Sequence, residues 1–109
     1  MTPEGRIKQK VMGTFDYFGI NSARSESKSG SGWYYMPVQN GLGVKGIPDF
    51  IGHYKGHFFA IETKAPGRKP TAWQERVGRS IQNTGGEWFV IDGDETLVDF
   101  RAWLRIIGE

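Results

Sequence analysis

The sequence predicts a single α/β domain with a central mixed sheet flanked by helices. Three patterns lead there. Apolar residues recur at helical spacing at both ends of the chain, an alternating hairpin fills its middle, and a strand–helix–strand unit follows the hairpin. The 109 residues leave room for one core, so residues 1–109 form one domain.

Thr2-Pro3-Glu4 has the chemistry of a helix start: a capping hydroxyl, a proline at the first helical position and an acid in the first turn. Ile7, Val11, Phe15 and Phe18 then share one face, and Gly19 provides a stop. Asn21 to Gly32 reads as a Ser/Gly-rich loop carrying Arg24 and Lys28. Trp33 to Gln39 has strand composition, with Pro37 marking an edge position or a bulge. A glycine-laden loop, "NGLGVKG", leads to two strands at about Ile47–Tyr54 and His57–Ala65. "PGRKP" is a basic turn before a helix from about Ala72 to Asn83, with Val77 and Ile81 on its inner face. Thr84-Gly85-Gly86 ends that helix. Trp88 to Ile91 is a continuous apolar run, as expected of a strand buried on both faces and reached by a right-handed parallel crossover. Leu97, Phe100, Leu104 and Ile107 mark a last amphipathic helix, with Asp94 as its cap.

The bulk numbers narrow the function classes. A charged fraction of 24% and a hydrophobic fraction of 38% describe an ordinary globular chain, not a disordered one. The absence of cysteine excludes disulfides and thiolate zinc sites, and fits a reducing compartment. Apolar runs are too short for a bilayer span and the start does not read as an export signal, so a cytoplasmic protein with no membrane partner is expected. The net charge of +2 is too small to imply nucleic-acid binding; where the charges lie matters more.

The informative stretch is "IPDFIGHYKGHFFAIETK", Ile47 to Lys64. With Lys55-Gly56 as a two-residue turn, Tyr54 faces His57, His53 faces Phe58, Ile51 faces Ala60 and Asp49 faces Glu62. Directly opposed residues have Cβ atoms about 4.5–5.5 Å apart. Lys64 then shares a face with Glu62, about 6.5–7 Å further along. Opposed like charges cost about 0.2–1 kcal/mol, more when semi-buried, unless something offsets the repulsion. A hard divalent cation does so. Mg²⁺ takes one or two carboxylates and fills its remaining positions with water and phosphate oxygens. Such an ion polarises a phosphoryl group and acidifies a bound water, and a nearby lysine orients that water or stabilises charge on phosphorus. The plainer alternative is a turn Asp and an exposed Glu62/Lys64 pair. Apolar residues on both faces of the hairpin weigh against it, because they imply a central position.

These residues resemble the Pro-Asp…(Asp/Glu)-X-Lys nuclease signature. Gly46-Ile47-Pro48-Asp49, Glu62-Thr63-Lys64, Lys69-Pro70-Thr71 and Gln74, followed by "TGG" and an apolar strand, resemble the VRR-NUC (virus-type replication-repair nuclease) branch of the PD-(D/E)XK superfamily. The likeness runs from about Glu4 to Asp92. It implies a restriction-endonuclease-like αβββαβ core and a phage-type stand-alone member. It also implies an Mg²⁺-dependent (or Mn²⁺-dependent) DNA endonuclease, homodimeric and selective for branched or Holliday-junction-like DNA in a host bacterial cytoplasm.

Carried over by position, Asp49 and Glu62 are metal ligands, the Thr63 carbonyl a third, and Lys64 the catalytic lysine. Gln74 and Glu4 correspond to a glutamine and an acid near the family's site. Each also has a structural reading: Thr71-x-x-Gln74 is a capping box, and Glu4 is a dipole-friendly first-turn acid. Phe50 departs from the basic residue that many relatives carry after Pro-Asp. His53 and His57 flank the turn, at the far end from Asp49, and are read as structural or exposed, not as a general base. Arg24, Lys28, Lys45, Arg68 and Lys69 are loop cations that either contact phosphates or are merely solvated. The alternative function on this fold is a catalytically inactive DNA-binding module.

Overall fold

The computed structural model describes residues 1–39 and 41–109; Asn40, in the glycine-laden loop, lies outside them. Its elements are α1 (Pro3–Phe18), β1 (Ile20–Ser22), β2 (Gly32–Tyr35), β3 (Phe50–Tyr54), β4 (His57–Thr63), α2 (Ala72–Asn83), β5 (Glu87–Ile91) and α3 (Asp94–Gly108). One five-stranded sheet runs β1-β2-β3-β4-β5, with β1/β2 and β4/β5 parallel and the two central pairs antiparallel. It is the expected mixed sheet flanked by three helices. None of the described helices is long and apolar enough to cross a membrane.

The first helix follows its sequence signals. The Thr2 hydroxyl accepts from the Gly5 amide, Pro3 opens the helix, and Gly19 closes it in the left-handed region at φ 73°. Ile7, Val11 and Phe15 are buried along one face. Phe15 is the hub of the core, with its ring centroid 4.2 Å from Tyr34 and 5.4, 5.7 and 6.1 Å from Phe50, Phe59 and Phe100. Burying each such ring stabilises the fold by about 1.5–3 kcal/mol, and favourable ring pairs add about 0.5–1.5 kcal/mol.

The sheet therefore has one fully covered face. Phe50, Tyr54, Phe59, Ile61, Phe89 and Ile91 meet α1 and α3 there. The other face meets α2 over β4 and β5, where Gly78 of α2 abuts the Trp88 indole so closely that a Cβ would overlap its ring carbons. Over β2 and β3 that face is open. Trp33 and Tyr35 stack on each other, centroids 6.4 Å apart, and both stay exposed.

Several expectations require correction. A short strand, β1, lies where the sequence reads as loop, paired in parallel with β2. Strand β2 ends at Tyr35, so Pro37 follows the strand and does not mark an edge or bulge within it; β1 is the edge. Strand β5 is the opposite edge; α2 and α3 cover its two faces as expected, but most of its residues are only partly buried. Val77 and Ile81 are half-buried, and Gly78 makes the closest approach to the sheet. Asp94 does not cap α3. Gly93 holds the cap position without a side-chain bond, while Asp94 pairs with Lys10 across 2.7 Å.

Candidate active site

The hairpin has the expected register: Tyr54 faces His57, His53 faces Phe58, Ile51 faces Ala60 and Phe50 faces Ile61. Lys55 in the turn takes φ 50° and Gly56 φ 84°, the left-handed pair that a tight two-residue hairpin needs. The paired ladder stops at Phe50, and Asp49 stands one step beyond, beside Thr63 and Glu62. Asp49 Oδ2 accepts two bonds from Thr63, one from its amide at 2.9 Å and one from its hydroxyl at 2.7 Å. Thr63 is fully buried, so these donors are fixed by the core itself.

Glu62 lies within the sheet, only 2% exposed. Its Oε1 accepts from Gln74 Nε2 at 3.1 Å, whereas its Oε2 is buried with no hydrogen-bond partner. Burial first, and the adjacent Asp49 carboxylate second, push the Glu62 carboxyl from 4.5 up to about 8; the Lys64 ammonium opposes the rise and Glu4 adds to it. At neutral pH a proton therefore sits in the acid pair.

Gln74 has both roles that its sequence position offers. Its Oε1 accepts from the Thr71 amide at 2.8 Å and its amide donates to the Thr71 hydroxyl at 3.2 Å, which completes the capping box. The same side chain reaches Glu62 with its amide nitrogen. One glutamine thus ties the start of α2 to Glu62 of the acid pair. Gly46, at φ 82°, lies against this helix start; a Cβ there would stand 2.6 Å from the Trp73 carbonyl. The "GIPD" stretch is thereby clamped to α2, which fixes the approach of Asp49.

Glu4 also falls in this neighbourhood, through a residue that the sequence reading missed. Lys8 Nζ lies 3.6 Å from Glu4 Oε2 and 3.8 Å from Asp49 Oδ1. The Glu4/Lys8 spacing of four was visible in the sequence as an ordinary helix pair; the link to Asp49 was not.

The loop cations divide. Lys45 lies over the Trp73 ring at 5.9 Å, beside the clamp, with Arg76 over the same ring at 4.6 Å. Arg68 and Lys69 are exposed in the loop that follows Lys64. Arg24 and Lys28 are exposed in the β1–β2 loop, and Lys28 lines a hollow with Trp33 and His53, toward the hairpin end. His53 and His57 are exposed there too, away from the acids.

Among the described residues no three Asp, Glu, His or Cys side chains form a ready-made metal cage. The donor set is two carboxylates, and it fits a hard dication that keeps water or phosphate in its other positions. Glu62 Oε2 fits it as well: it is buried without a donor, and a dication would take the place of the proton that burial and Asp49 hold on this carboxyl. The other buried side-chain atom without a partner among those residues, Trp88 Nε1, is a donor and has no such use. Comparison with models of protein families, with curated proteins and with solved structures gives no match to this chain.

Proposed function

We propose that this chain is a metal-dependent DNA endonuclease of VRR-NUC type within the PD-(D/E)XK superfamily. In this reading α1, β2, β3, β4, α2 and β5 form the restriction-endonuclease-like αβββαβ core. One observation carries it: the hairpin register brings Asp49 to Glu62 and leaves Glu62 Oε2 buried without a partner, with the Lys64 charge near enough to act on that carboxyl.

Asp49 and Glu62 would hold Mg²⁺, or Mn²⁺ in its place, with the Thr63 carbonyl as a third ligand. The ion when bound supplies Lewis acidity toward a phosphoryl oxygen and acidifies a water. The chain's own groups do the rest. Thr63 fixes Asp49 through two hydrogen bonds and Gln74 fixes one oxygen of Glu62, so neither carboxylate has to be ordered when the substrate arrives. Lys64 orients the attacking water and stabilises the charge that builds on phosphorus. Attack is in line, and no covalent enzyme intermediate forms. Lys45, Arg68 and Lys69 hold backbone phosphates beside the site without reading sequence. Branched, junction-like DNA and a homodimer of phage origin follow from the resemblance. A dimer also suits paired strand cuts, because one small domain offers one such site.

The test is incubation of supercoiled, single-stranded and four-way-junction DNA with Mg²⁺, Mn²⁺ or EDTA. Cleavage is expected only with a metal, and is expected to vanish in Asp49→Ala and Lys64→Ala while DNA binding persists. Cleavage that survives both substitutions refutes the site. Binding without cleavage in either metal establishes the inactive DNA-binding module instead.

A further inference from the structure

We propose that Lys8 is a resident counter-cation of the acid pair, and that it makes divalent-ion uptake depend on the arrival of a phosphodiester. The inference rests on the nuclease reading above and adds a regulation to its site.

The geometry is specific. Asp49 Oδ2 is committed to Thr63, which leaves Oδ1 as the oxygen free for a ligand, and Lys8 Nζ stands off that oxygen at 3.8 Å. The same ammonium lies 3.6 Å from Glu4. Both separations exceed the roughly 2.7–3.2 Å of a hydrogen bond, so Lys8 attracts by charge and can withdraw without breaking a directional contact. Its side chain is 31% exposed and its stem is flexible, so a route to solvent exists. Its neighbours on α1, Ile7 and Val11, are buried, so the helix holds the charge in range. An exposed i,i+4 pair with Glu4 alone would contribute little. The second link, to an Asp49 side chain only 15% exposed, is the unusual part.

Charge balance gives the link its consequence. Glu4, Asp49 and Glu62 bring three negative charges to the ion-loaded site, and Lys8 and Lys64 bring two positive ones. With the dication in place of the Glu62 proton, the loaded site carries a single net positive charge. A phosphodiester, with one negative charge, restores neutrality. Lys8 therefore opposes the ion when it comes alone and favours the ion when it comes with substrate. Removing the Lys8 charge makes the loaded site neutral without DNA.

The experiment is calorimetric titration of Ca²⁺, an oxygen-seeking ion of relaxed geometry, into wild type, Lys8→Met and Lys8→Arg. Each protein is titrated alone and with a short branched DNA, and melting in EDTA confirms that each is folded. Lys8→Met is expected to bind Ca²⁺ roughly tenfold more tightly than wild type without DNA, within the usual range of coupling between sites. DNA should then tighten ion binding by about tenfold in wild type and by less than about threefold in Lys8→Met. By reciprocity Ca²⁺ tightens wild-type DNA binding by the same factor. Lys8→Arg should behave as wild type. Equal Ca²⁺ affinity in wild type and Lys8→Met overturns the proposal, as does Lys8→Arg matching Lys8→Met, because charge is then not the cause. Ion binding and cleavage by wild type with an unaltered Lys8→Met removes the Lys8 role alone. No ion binding and no cleavage in any protein removes the nuclease reading and this inference together.

Discussion

Along β4, Phe59, Ile61 and Thr63 face the layer of α1 and α3, while Phe58, Ala60 and Glu62 face the side of α2. The first set is sealed: Phe59 packs against Phe15, Phe100 and Trp103, and all three of its members are fully buried. The second set grades from the half-exposed Phe58 to the buried Glu62, one oxygen of which has no hydrogen-bond partner. Period-two alternation lets one strand supply both faces, so a rigid core places the acid without being altered by it. Thr63 joins the two. Its side chain belongs to the core, yet its hydroxyl and amide hold Asp49.

The most direct attempt to break this division is one substitution on each face. Phe15→Ala removes the ring on which four others converge and should cost about 3–5 kcal/mol in denaturant unfolding. Lys64→Ala, at a half-exposed position where the strand ends, should change stability by less than about 1 kcal/mol. Cleavage should nevertheless be lost, a fall of at least about 10²–10³-fold. If Lys64→Ala unfolds the protein as readily as Phe15→Ala, the faces are not separate in function.

Acidity sharpens the contrast, because the α2 face carries a buried group that titrates far from its ordinary range. Glu62 in the folded chain holds its proton up to about 8, whereas its ordinary value is 4.5. The unfolded chain releases that proton earlier, so the stability from this group is complete below about 4.5 and is lost as pH rises toward 8. Thermal melts in EDTA should show the wild-type midpoint falling from pH 5 to pH 8, by an amount equivalent to a few kcal/mol. Glu62→Gln keeps the shape and removes the titration, so its midpoint should hold nearly level. A wild-type curve parallel to that of Glu62→Gln would mean that Glu62 ionises normally.

How much of this was legible depended on distance along the chain. The Lys55-Gly56 turn and the alternation around it fixed the register, and with it the meeting of Asp49 and Glu62, because a two-residue turn leaves little freedom. The helix caps at Thr2 and Thr71 were legible for the same local reason. Strand β1 was not, since Ile20–Ser22 is three residues long with one buried apolar side chain and is held by parallel pairing to β2. The edge position of β5 was hidden as well: an apolar run reports cover on its faces and says nothing of a missing neighbour. Lys8 was the costliest omission. Its pair with Glu4 looks like any helix-surface pair, and its second partner lies more than forty residues away, brought near only by the packing of α1 on the sheet.

Gln74 allows the finest test, because it touches both the scaffold and the chemistry. Gln74→Glu retains a carboxyl oxygen to accept from the Thr71 amide, so the capping box survives and stability should change by no more than about 0.5 kcal/mol. It replaces the amide that donates to Glu62 with a second acid. Like charges at that separation disfavour ionisation of Glu62, so more of the acid pair stays protonated at neutral pH. Cleavage should therefore slow several-fold at pH 7 and recover as pH is raised, with the melting temperature barely moved. Gln74→Ala should lose about 0.5–2 kcal/mol through the cap as well. If Gln74→Glu melts and cleaves as wild type at every pH, then the bond to Glu62 has no consequence and Gln74 serves only to begin a helix.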